Sequence, residues 1–155
     1  MQFTEPISRR LNHLGKICLS VLSKRITHLD INRYYYPLTV IYLHNGKLSQ
    51  NALAQLLGKD KSAIVSIIDQ LTEQGYVTRT VNPNDRREHL ISTTKKAEQD
   101  VPQIMTAYEE MNNDLTQGIT TQEMDTFYAV LQKMKTNITP FAIPNSIPAK
   151  NEGEF

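Results

Sequence analysis

Cysteine is nearly absent from these 155 residues: Cys18 stands alone, so no disulfide can form within one chain and a reducing cytoplasm is the expected home. No apolar run is long enough to span a bilayer. The opening Met1-Gln2-Phe3-Thr4-Glu5-Pro6 lacks the basic-then-apolar order of a signal peptide, so no membrane association is expected. The four histidines, His13, His28, His44 and His89, are scattered, with no pair four residues apart and no Cys-x-x-Cys to accompany them. That spacing suits no metal. A phosphate loop, a nucleophile beside a base and a pair of facing carboxylates are all missing, so the chain reads as a non-enzyme without a cofactor.

What is present is ordinary in amount and uneven in placement. The length suits one domain, and 39% hydrophobic with 21% charged residues is typical of globular chains. The net charge of +1 conceals a division. Residues 1–96 hold 14 Lys/Arg against 7 Asp/Glu, whereas residues 97–155 hold 3 against 9. A basic region can bind a polyanion by releasing condensed counterions, whatever the total charge. Chance clustering of solvated charge is the bland alternative.

Hydrophobic spacing predicts mostly helices. Ile7, Leu11, Leu14, Cys18 and Leu22 form one stripe, with Thr4 as the expected cap and Pro6 tolerated in the first turn. Asn32 is the expected cap of a second helix running to about His44, with Pro37 kinking or delaying it and Asn45-Gly46 closing it. Ser49 caps a third helix, Gln50 to Leu57, ended by Gly58. Asp60 caps a fourth, Lys61 to Gln74, whose Ile64, Ile67, Ile68 and Leu71 share a face. Two short helices so joined fit a helix-turn-helix.

The period then changes to two. Tyr76 to Thr80 and His89 to Ser92 read as strands around a turn-rich loop, Val81 to Glu88. Thr93 or Thr94 opens a fifth helix with the stripe Ala97, Val101, Ile104, Tyr108, Met111 and Leu115, bent at Pro102. Thr120 and Glu123 make a capping box for a sixth, carrying Met124, Phe127, Leu131, Met134 and Ile138. The tail from Thr139 to Phe155, with three prolines, is expected to be non-helical, disordered or extended along a partner.

The chemistry sits in the fourth helix and the strand pair. Small and basic side chains on the exposed N-terminal half, Lys61, Ser62, Ala63 and Ser66, suit close approach to a major groove. Asp85-Arg86-Arg87 is expected at a loop tip, where a carboxylate orients one guanidinium for a narrow minor groove. Ser49 and Lys59, flanking the two short helices, complete the expected DNA-binding set.

Residues 48–94 resemble the winged-helix core of the multiple-antibiotic-resistance-regulator (MarR) family. Leu71-Thr72-Glu73-Gln74-Gly75-Tyr76-Val77-Thr78-Arg79 and Asn82-Pro83-Asn84-Asp85-Arg86-Arg87 carry the likeness, which extends over roughly residues 6–138. It implies a mainly α fold with a small β-wing. A winged helix-turn-helix at about 33–93 would be flanked by dimerisation helices at about 5–27 and 94–138, all within one domain, 1–138, followed by the tail 139–155. It further implies an obligate homodimer that binds double-stranded DNA at a pseudo-palindromic operator, a repressor released by an effector. Carried over by position, Arg87 would enter the minor groove and Asp85 would be its salt-bridge partner. Pro37, the absence of a glycine near Thr93-Thr94-Lys95-Lys96-Ala97, and the tail depart from the family pattern.

The family's ligand crevice falls where Tyr34, Tyr35 and Tyr36 stand, and with His13 and Cys18 they form the expected site for a small aromatic or lipophilic effector. For each tyrosine, plain packing is the commoner role. Cys18 could instead sense thiol oxidation, although a cysteine on an apolar stripe is more often buried and inert. A winged helix that binds proteins rather than DNA is the reading from another class.

Overall fold

The computed structural model describes residues 5–31, 33–44 and 46–142. Six helices surround a three-stranded antiparallel sheet. They run α1 (Ile7–Arg25), α2 (Tyr35–Leu43), β1 (Leu48–Ser49), α3 (Gln50–Leu57), α4 (Lys61–Glu73), β2 (Val77–Asn82), β3 (Asp85–Thr93), α5 (Lys95–Leu115) and α6 (Thr121–Ile138), then a 3-10 turn, Thr139–Phe141. The fold class is as expected from the sequence: mainly helical with a small β-wing.

The helix-turn-helix forms where its boundaries are written. Ser49 accepts the Ala52 N–H and Gly58 closes α3 in the left-handed conformation that glycine adopts freely. Asp60 accepts the Ala63 N–H at 2.8 Å to start α4. The stripe of α4, Ile64, Ile67, Ile68 and Leu71, is buried in the common core with Leu38, Ile41, Leu53 and Ile91. Each such side chain stabilises by roughly 1.5–3 kcal/mol when taken from water, which holds one face of α4 down and turns the other outward.

Several local expectations are corrected. Pro6 occupies the N-cap position of α1, ahead of the first turn; the proposed cap Thr4 lies outside the described residues. So does Asn32. Tyr34 is the residue that precedes α2, in a left-handed conformation with φ 66°. Pro37 is therefore the third residue of α2, where no intrahelical donor is lost, and it delays the helix rather than kinking it. Asn45 is also outside the described residues, while Gly46 takes φ 70° just after the helix. α5 runs as one element through Pro102. Residues 139–141 are helical after all: Pro140 sits in the first positions of a 3-10 turn, where its missing N–H costs nothing. The rest of the tail, 143–155, lies outside the described residues.

The sheet is larger than its strong signals suggested. β3 is central, with order β1-β3-β2. Leu48 pairs with Ile91 and Ser49 with Leu90, adding a two-residue strand that alternation cannot reveal. β2 and β3 pair from Val77–Thr93 out to Asn82–Asp85, with an irregularity at Val81/Asn82. The expected eight-residue loop thus shrinks to Pro83 and Asn84. Asn82 explains this, since its side chain accepts the Asn84 N–H at 2.9 Å and donates to Glu88 at 2.8 Å.

α1 and α6 are covered least. Leu22 is the buried residue of α1, whereas Ile7 is 58% exposed and Leu11, Leu14 and Ile17 are exposed with it. α6 buries nothing, with Phe127, Met134 and Ile138 open to solvent. Arg25 pairs with Glu110 at 2.9 Å and with Asp114, tying α1 to α5. Lys96 reaches Asp30 at 3.0 Å and the Gln74 carbonyl at 2.8 Å, joining the start of α5 to the segments after α1 and α4.

Two outcomes are expected. Ile68→Ala removes a fully buried side chain from the α4 anchor and should destabilise by about 2–5 kcal/mol, read as a lower urea midpoint at fixed protein concentration; an unchanged midpoint would show that α4 is held otherwise. At the start of α6, the Thr120 backbone N–H and then its hydroxyl hold the Glu123 carboxyl below the usual carboxylate range. A depressed folded-state pKa stabilises above the unfolded value and loses that contribution as pH falls through the lowered one. An NMR titration of Glu123 should move toward an ordinary carboxylate in Thr120→Ala, and an unmoved titration would contradict the capping box.

Candidate functional site

The outward face of α4 meets the hairpin of β2 and β3. Lys61, Ser62, Val65 and Ser66 are exposed, whereas Ala63 is half-buried with its N–H committed to Asp60. Lys61 and Arg87 line one cleft of about 380 Å³, together with Gln50, Asn51, Val65 and His89. Asp85 and Glu88 border the same cleft. The structure therefore brings together three of the expected residues, Lys61, Asp85 and Arg87, on the side where α3 begins.

The remaining members are dispersed. Arg86 is exposed but does not line the cleft. Both arginines stand on a strand rather than at a loop tip, because the turn is only two residues long. Asp85 accepts the backbone N–H of Arg87 at 3.0 Å, and no ion pair joins the two side chains among the described residues. The expected orienting salt bridge is thus replaced by a turn-type bond that leaves the guanidinium uncommitted. Ser49 is 8% exposed and its hydroxyl is spent on the α3 cap, so it builds this face without presenting itself on it. Lys59 is exposed and faces a different cavity.

Gln50, Asn51 and His89 were not expected here. Gln50 and Asn51 are the first residues of α3, brought to the cleft by the pairing of β1 with β3. The signal existed in the polar run after the Ser49 cap, but its direction depends on a strand too short to read. Arg79 is paired with Asp69 of α4 and fastens the hairpin to that helix.

A second hollow, about 680 Å³, lies between α1 and the start of α2 and does gather Tyr34, Tyr35 and Tyr36. Tyr108 of α5 closes it, and Lys16, Arg33 and Lys59 stand around it. Tyr35 is buried, and burial raises its pKa. Burial, followed by the proximity of Tyr36 and Tyr35, pushes Tyr108 up to about 12, so these phenols stay neutral at physiological pH. His13 and Cys18 do not belong to the hollow. His13 is exposed elsewhere on α1, and Cys18 is half-buried against the core. A larger hollow of about 900 Å³ lies across Tyr36 and Tyr108, between α2 and α5. Among the described residues no cluster of His, Cys, Asp or Glu is placed to hold a metal, and no helix is long and apolar enough to cross a membrane.

A model of the MarR family matches residues 33–88, the stretch from the approach to α2 through the turn of the hairpin. Solved structures agree over a wider span. A MarR-family transcriptional regulator from Listeria monocytogenes, crystallised with 26-mer DNA, is 23% identical at a TM-score of 0.76, covering 88% of this chain and 91% of its own. The transcriptional regulator SlyA is 22% identical at 0.78, covering 88% and 96%. A MarR regulator from Methanosarcina mazei Go1 is 23% identical at 0.72, covering 88% and 98%. At such identities the likeness establishes the fold. Residues 33–88 carry the winged helix of the MarR family, and the chain as a whole has the fold of that family's solved regulators.

Proposed function

We propose that this protein is a cytoplasmic, DNA-binding transcriptional regulator that acts as a homodimer, and that it represses until a small aromatic or lipophilic effector releases it. The observation that carries the reading is the cleft in which Lys61 of α4 and Arg87 of the hairpin converge. One cation stands at the N-terminal half of an exposed helix and the other on an adjacent β-ribbon. That arrangement suits a helix in the major groove with a wing reaching the next minor groove. Ser62, Ala63 and Ser66 are small enough for the backbone to approach bases, and exposed Arg86 would serve a phosphate. The Listeria relative was crystallised on DNA, which supports the same use of the fold here.

The dimer follows from α1 and α6. Exposed Ile7, Leu11, Leu14 and Ile17 on one and Phe127, Met134 and Ile138 on the other are apolar faces with no cover in one subunit. Burying them against a second copy would match the apolar character of a stable homodimer interface. The effector reading rests on the tyrosine-lined hollow. Its use as a thiol-oxidation sensor is not favoured, because Cys18 packs half-buried against the core and away from that hollow.

Selection from random duplexes at fixed salt should enrich an inverted repeat with half-sites about one helical turn apart; background binding without enrichment would refute a sequence-specific regulator. On the selected site, Arg87→Ala should weaken binding by about 1–3 kcal/mol, and an unchanged affinity would remove the hairpin from the mechanism. Lys61→Ala should either flatten the salt dependence or relax base preference at one position. A wild-type salt slope with wild-type preference would exclude both roles.

A further inference from the structure

The outward face of α4 is polar except at one position. Lys61, Ser62, Ser66, Asp69 and Glu73 are exposed polar side chains, and Val65 among them is 42% exposed. Valine is a weak helix former, since its branched Cβ is restricted against the preceding turn, so a solvated position draws no benefit from it. Single apolar residues are common on surfaces, but this one does not stand on open surface. It lines the cleft with Lys61, one turn before it on α4, and with Arg87 and His89 of the hairpin.

Its methyl groups are also held in place. Ile64 before it and Ile68 after it are 1% and 0% exposed, so the backbone at Val65 is fixed by the core. A β-branched side chain on a helix keeps one strongly preferred χ1 rotamer, which fixes the side chain as well. Its neighbours on the face include two short ones, Ser62 one turn before it and Ser66 beside it. Asp69, one turn further on, is drawn to Arg79 of β2. Val65 is therefore a rigid apolar point between a cation and two small hydroxyls.

Duplex DNA offers such a point one kind of partner. Phosphates and the donors and acceptors of the base edges are polar, and the apolar group displayed in the major groove is the methyl on C5 of thymine. A cytosine methylated at C5 carries the same group at the same ring position. We propose that Val65 reads the C5-methyl group of one pyrimidine in each half-site, thymine or 5-methylcytosine, while Lys61 and Arg87 supply the charged contacts around it. The proposal rests on the DNA-binding reading of this cleft. It adds a specificity-determining residue and the chemical group that it recognises.

The probe is the duplex site selected from random sequence, with each thymine of a half-site replaced in turn by uracil, which removes the methyl and nothing else. At one position the wild-type protein should bind the uracil duplex about four-fold more weakly, as for one methyl left in water. Val65→Ala should bind thymine and uracil there equally; the position is exposed and alanine is the better helix former, so the variant keeps its fold. Val65→Thr, which retains one methyl on the same branched frame, should keep part of the preference. Placed opposite guanine at that position, 5-methylcytosine should bind wild type about four-fold more tightly than cytosine, and Val65→Ala should not distinguish them. Uracil tolerated at every position overturns the methyl contact while leaving a sequence-specific regulator in place. A wild-type preference retained in Val65→Ala gives the methyl to another residue and overturns the role of Val65. No gain from 5-methylcytosine overturns its inclusion, and enrichment of no site overturns the proposal together with the reading it rests on.

Discussion

The buried isoleucine face of α4 is the constraint on which the rest of the molecule depends. With Ile64, Ile67, Ile68 and Leu71 all packed into the core, the helix cannot roll without exposing most of what stabilises it. Its opposite face is therefore presented at a fixed angle, and that face carries Lys61, Ser62 and Ser66. β3 extends the same rigidity sideways. As the central strand it pairs with β1, which leads directly into α3, and with β2, which Arg79 fastens to Asp69 of α4. The hairpin, the start of α3 and the exposed face of α4 are thereby parts of one body, and Arg87 and Lys61 are held around a common cleft rather than left on independent loops.

Rigidity at the centre contrasts with incompleteness at the chain ends. α1 and α5 are joined by Arg25 through Glu110 and Asp114, pairs that are substantially solvated and contribute modestly. The apolar residues beside them on α1, and nearly all those on α6, remain in water. A chain that buries one face of α4 so thoroughly leaves two long helices uncovered, and the proposed homodimer would cover them. The uneven charge is consistent with this division, since the acidic third of the sequence supplies α5 and α6, away from the basic face.

Much of this was legible in the residues alone, and what escaped has physical reasons. The helices α3 and α4 are bounded by Ser49, Gly58, Asp60 and Gly75, each of which acts through a bond or a dihedral local to itself, so reading and structure coincide. The Thr120–Glu123 box is local in the same sense. β1 was invisible because two residues carry no period and their pairing depends on Ile91, more than forty positions away. The wing turn was overdrawn because Asn82, Pro83 and Asn84 each favour a turn, and nothing along the chain says that Asp85 onward resumes the ladder. The same error displaced Arg86 and Arg87 from a tip to a strand, where only Arg87 lines the cleft. Tyr34, Tyr35 and Tyr36 read as one cluster, yet helix geometry gives them three different environments, one strained, one buried and one exposed.

That last difference shows why a linear cluster is a poor description of a site. Tyr34 stands outside α2 in a left-handed conformation, so its ring and the preceding Arg33 point in directions that a helical extension through Asn32 would have denied them. Pro37 stands in the first turn of α2, where it needs no intrahelical donor, and beside it the Leu38 N–H meets the Tyr34 carbonyl at 3.0 Å. The residue that seemed an interruption of the family pattern is therefore part of what sets the hollow's geometry. Arg33 lines that hollow and also grips Gln70, so one side chain ties the tyrosine segment to a helix held rigid by its buried isoleucines.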